Sequence, residues 1–135
     1  MIQEALRGLL LTDKTLATLL GDRILPSPAP FATPYPLVEY QVVSGADKLT
    51  LLKPIGLPNI RIQYDVYGLR AEDVNVIADH LWTFLDGFQG AAPDGTVIQG
   101  AHLVLERDSP QKPTVNNPQT LYRIMQDYSV WYERE

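Results

Sequence analysis

Residues 121–135 read LYRIMQDYSVWYERE. Tyr122, Ile124, Gln126, Tyr128, Val130 and Tyr132 fall on one parity, and Leu121, Arg123, Met125, Asp127, Ser129 and Trp131 on the other. Period-two spacing rich in aromatic and β-branched residues predicts a strand. The run is about a dozen residues long, against roughly 5–6 for an ordinary strand. So long an aromatic strand lies either at the centre of one sheet or on a surface that pairs with another subunit, and that choice frames both fold and function.

Upstream, Ile2, Ala5, Leu6, Leu9 and Leu10 sit at helical spacing, predicting an amphipathic helix over 2–11. Thr12 or Asp13 can cap a second short helix with Leu16, Leu19 and Leu20 on its apolar side and Gly21 as its stop. Residues 24–36 hold five prolines and read as an extended connector. Residues 37–44 read as a strand. Residues 46–58 carry Lys48, Lys53, two prolines and a glycine, and fit either a hairpin arm or an exposed loop. Residues 59–67 alternate: Ile60, Ile62, Tyr64 and Val66 face one way, and Arg61, Gln63, Asp65 and Tyr67 the other.

Residues 71–86 predict a long helix with Val74, Ile77, Ala78, Leu81 and Leu85 on one face. Glu72 and Asp73 lie in its first turn, where negative charge offsets the helix dipole. Gly87 stops it. After a turn at 92–95 comes a strand over 96–107, with Gly100 a bulge or kink. Residues 108–120 are polar, hold three prolines and lack periodicity. Loops of that length are usually functional or mobile. The element order α-α-β-β-α-β-β predicts an α+β fold: a roughly four-stranded, mostly antiparallel sheet with an N-terminal helical hairpin and one long helix packed on one face.

At 135 residues the chain fits a single domain, 1–135, that can bury one core. The absence of cysteine excludes disulfides, thiolate metal sites and a cysteine nucleophile, and suits a reducing compartment. Glu4 and the lack of a small-residue cleavage site argue against a signal peptide. No apolar run approaches the ~20 residues that span a bilayer. A net charge of −5, with 11 scattered basic residues, argues against sequence-general nucleic-acid binding, which needs clustered cations.

Chemistry-bearing patterns are few. His80 and His102 belong to no spaced metal motif and read as a helix-surface and a sheet-face residue. Ser44 and Ser109 lack a nucleophile elbow, and no phosphate-binding glycine loop is present. Glu106 with Asp108, or Asp65 with Asp127, could form a carboxylate pair, but ion pairs with Arg61, Arg107 or Arg123 account for them as well. The aromatic set Tyr64, Tyr67, Tyr122, Tyr128, Trp131 and Tyr132 admits three accounts: cross-strand core packing, a base-stacking platform, which the missing cations disfavour, and subunit contact.

Taken in order, six stretches form a familiar series: 1–11 (MIQEALRGLLL), 15–24 (TLATLLGDRI), 34–41 (PYPLVEYQ), 61–68 (RIQYDVYG), 78–88 (ADHLWTFLDGF) and 121–132 (LYRIMQDYSVWY). The series resembles the tail completion proteins (tail terminator, or tail-to-head joining, proteins) of long-tailed bacteriophages and gene transfer agents, over nearly the whole chain.

The resemblance implies a structural virion assembly protein rather than an enzyme, with no catalytic residue, cofactor or metal to carry over. It implies a homohexameric ring on the head-proximal end of the tail tube, touching the tail tube protein on one side and the head-completion (neck, or stopper) protein on the other. DNA would pass through the lumen without specific binding, and no membrane is involved. The expected location is the virion tail and neck, with assembly in the host cytoplasm. A closing ring needs a heterologous interface, which sheet edges and aromatic side chains can supply. An acidic subunit repels phosphate passing through it. The polar, aperiodic segments 46–58 and 108–120 are the expected contact regions. Lys48, Lys53, Asp108, Gln111, Lys112, Asn116, Asn117 and Tyr132 are the candidate interface residues. The alternatives are a small α+β hydrolase or ligand-binding domain, or another neck or tail-tube component.

Overall fold

A computed structural model describes residues 2–30, 32–45, 59–110 and 120–133. The elements run α1 (Ile2–Leu10), α2 (Lys14–Leu20), β1 (Ile24–Pro26), β2 (Leu37–Gly45), β3 (Asn59–Gly68), α3 (Ala71–Leu85), β4 (Gly90–Ala91), β5 (Val97–Asp108) and β6 (Tyr122–Glu133). One sheet holds all the described strands, in the order β1-β2-β3-β6-β5-β4. β1 runs parallel to β2, and all other neighbours are antiparallel.

This corrects the expected four-stranded, mostly antiparallel sheet: among the described residues the sheet has six strands and is mixed. Two short strands account for the difference. β1 lies inside the proline-rich stretch read as a connector. Its three residues carry no periodicity and end in Pro26, which an edge strand tolerates because one side needs no backbone donor. What holds it is Ile24, fully buried, with the Val38 amide donating to the Arg23 carbonyl at 2.9 Å. β4 has only two residues, paired with Val97 and Ile98, too few to leave a pattern.

β6 is a central strand, flanked by β3 and β5 along its length. Ile124, Gln126, Tyr128, Val130 and Tyr132 are buried on one face. Ile60, Ile62, Tyr64 and Val66 of β3 join them, together with Leu6 and Leu10 of α1, Leu16 and Leu20 of α2, and Val74, Ile77, Leu81 and Leu85 of α3. Each fully buried aliphatic side chain contributes about 1.5–3 kcal/mol. Asp13 caps α2, accepting from the amides of Thr15 (2.9 Å) and Leu16 (3.1 Å). At the other junction Gly68 lets α3 close on the end of β3, since a Cβ there would stand 2.7 Å from Val74 Cγ2.

One polar side chain ties the layers together. Gln126, fully buried, donates to the Ala78 carbonyl of α3 (3.1 Å) and to Glu106 of β5 (2.6 Å), and accepts from the Tyr128 hydroxyl (2.7 Å). A buried amide so engaged avoids its desolvation cost. Among the described residues no helix is long and apolar enough to cross a membrane.

Candidate assembly surfaces

The odd residues of β3 and β6 form the sheet face turned away from the helices, and their charges interlock. Arg61 meets Asp127 at 3.1 Å and Arg123 meets Asp65 at 3.3 Å. Gln63 donates to both oxygens of Asp65 (3.2 and 3.0 Å), and the Arg123 guanidinium lies 5.5 Å from the centre of the Tyr67 ring. Asp65 and Asp127 are buried, and an arginine on the neighbouring strand offsets the cost of burying each carboxylate. Both acids weighed as a carboxylate pair are thus members of an ion-pair lattice, while Glu106 accepts from Gln126.

The histidines stay apart. His80 is half-buried on α3 with Nδ1 3.8 Å from Asp13 Oδ2, and His102 is exposed opposite Ser129. Among the described residues no group of three or more His, Asp or Glu side chains is placed to hold a metal. An open cleft of about 360 Å³ lies between Pro30, Ala32, Tyr35, Leu37, Glu39 and Tyr67. Its carboxylate, Glu39, accepts from Ser27 Oγ (3.1 Å) and the Ala29 amide (3.0 Å).

The sheet margins differ in kind. On β2 the partner strand β1 covers only Val38 to Tyr40. Past Tyr40 no described strand pairs with the outer side, and Val42 (38% exposed) and Val43 (43%) face solvent beside a β-bulge. On β5 the cover is longer. β4 takes Val97 and Ile98. The end of α3 then acts in place of a strand: the Gly87 amide, at φ +81°, donates to the Ala101 carbonyl (2.6 Å), and Asp86 Oδ1 accepts from the Leu103 amide (2.9 Å). Beyond Leu103 that cover ends at a second bulge, where Val104 (49%) and Leu105 (44%) are exposed. Trp82, one helical turn before Asp86, is 47% exposed. Exposed backbone edges carrying apolar side chains are what monomeric proteins avoid.

Of the candidate interface residues, Lys48, Lys53, Gln111, Lys112, Asn116 and Asn117 lie outside the described residues. Asp108 is exposed at the end of β5. Tyr132 is in the core cluster, so its ring packs inside the subunit. Among the aromatics, Tyr64 and Tyr128 are fully buried, Tyr122 packs against the core, and Tyr67 and Trp131 lie on the helix-free face. The exposed residues of the two margins were not singled out from sequence. Their signal was present: Val42-Val43 and Leu103-Val104-Leu105 are apolar on both parities, which an alternating strand does not require.

No protein-family model matches the chain. No curated protein matches it either. A solved structure does: a chain of the virion of a native gene transfer agent particle, with a TM-score of 0.60 at 17% identity, covering 98% of this chain and 98% of that one. At that identity the likeness establishes a common fold.

Proposed function

We propose that this protein is a structural component of a phage-like virion, and within it the ring that ends the tail tube and joins tail to head. The observation that carries the proposal is the fold likeness to a gene transfer agent virion chain, end to end in both molecules. The ordered sequence resemblance to tail completion proteins supports the finer role. So do two sheet margins that no strand pairs with among the described residues, which suit a subunit that meets copies of itself. Six copies around the tube axis would leave a lumen for DNA, and the net charge of −5 disfavours retention of phosphate there. The working location is the virion neck, reached from the host cytoplasm during assembly. Tail tube protein lies on one side and the neck protein on the other.

The segments 46–58 and 108–120 are the proposed contacts with tube, neck or neighbour. Deleting residues 109–119 should leave a subunit that folds, shown by an unchanged thermal transition, while heads and tails accumulate separately. Normal yield of joined particles from that deletion would contradict the role. A neck or tube component of another kind is the second reading, since the likeness is to a chain of the gene transfer agent particle and to no particular part of it. Long filaments from purified protein would favour a tube subunit.

A further inference from the structure

We propose that successive copies join through their sheets, the outer edge of β2 at residues 41–45 in one copy pairing with the outer edge of β5 at residues 104–108 in the next. The inference rests on the reading of this protein as a ring-forming subunit, and names the surface that closes the ring.

Three observations select a second copy as the occupant. First, each open stretch begins where its own cover ends: β1 stops at Tyr40, and the α3 terminus stops at Leu103. Among the described residues no strand pairs with the outer side of either stretch, and one such stretch lies at each margin of the same sheet. Second, β2 and β5 run in opposite directions, because each step from β2 through β3 and β6 to β5 is antiparallel. Across the sheet Gln41 stands level with Leu105 and Gly45 with Ala101, so a copy rotated about an axis inclined to the strands, which staggers one edge along the other, brings the two open stretches together antiparallel, the more stable pairing. Third, both stretches carry adjacent exposed apolar side chains at a bulge, Val42 and Val43 on one and Val104 and Leu105 on the other. Joining them removes from water the apolar surface that each exposes alone. Such a contact is heterologous: every copy uses one edge and offers the other, so the contact repeats until rotation closes it.

The chain has no cysteine, so engineered thiols report unambiguously. Val43→Cys and Val104→Cys each alter an exposed side chain, and their thermal transitions should match that of the parent. The two single variants are mixed, in solution and on tail tubes, and treated with a short bismaleimide. The expected result is a cross-linked dimer from the mixture, loss of that band when either variant is used alone, and a ladder of multimers from the double variant. A dimer from Val104→Cys alone would replace the proposed contact with a twofold one. Rings seen by electron microscopy without cross-linking in the mixture would overturn the edge pairing and leave the ring standing. Protein that never self-associates, free or on tubes, would overturn both.

Discussion

Tyr64 and Tyr128 meet edge to face in the centre of the core, ring centroids 5.9 Å apart at 74°, with Tyr40 against Tyr64 at 6.3 Å. Such pairs add about 0.5–1.5 kcal/mol beyond the area they bury. Burial lifts the phenols of Tyr64 and Tyr128 well above their ordinary range; Tyr40 raises Tyr64 further, and Tyr64, Glu106 and Asp86 raise Tyr128 further. Unfolded tyrosine ionises near pH 10. The folded pKa is thus raised above the unfolded value, so this contribution to stability is full below about pH 10 and is lost as pH rises beyond it. Each buried phenol costs about 1.4 kcal/mol per pH unit above that point. The urea midpoint should fall between pH 9 and pH 11, with absorbance at 295 nm showing phenols that ionise only on unfolding; full ionisation of every tyrosine in the native protein at pH 11 would contradict this. The alternation in 121–132 showed which β6 residues share a face, yet not that Gln126 is fully buried. Its partners, Ala78 and Glu106, come from a helix and a strand distant in sequence.

At the scale of elements, the long helices and strands were legible because their apolar spacing is set by packing on one core. α1, α3, β2, β3, β5 and β6 lie within one or two residues of the periodic stretches that predicted them. β1 and β4 were not, since two or three residues held by neighbours leave no period to read. The end of α3 is the least predictable device. Asp86 closes the helix and also covers the Leu103 amide of β5, sparing part of that edge from solvent. Asp86→Ala should cost about 1 kcal/mol, the net value of one hydrogen bond. Hydrogen exchange should speed selectively at the Leu103 amide, with the β3–β6 ladder unaffected. Unchanged protection at Leu103 would show that the edge is covered by something else.

For the whole molecule, the helix-free face and the two margins decide what the fold can do. The face is filled by Arg61, Asp127, Arg123 and Asp65, which spend their charge on one another across β3 and β6. Sequence alone allowed those acids to be a reactive pair or ion-paired, and only the strand register distinguishes the two. The margins bear exposed apolar residues on strands of opposite direction, with no further strand paired to them among the described residues. Strand order is invisible in a one-dimensional pattern, so the margins could not be located from sequence even though their residues stand out.

The proposed subunit acts by shape and self-association at the end of a tail tube. The most direct measurement images purified protein, alone and mixed with tail tubes, by negative-stain electron microscopy, with light scattering for mass. Closed rings, free or seated on one end of each tube, are the predicted result. Tubes with bare ends beside protein that remains monomeric at every concentration would contradict it.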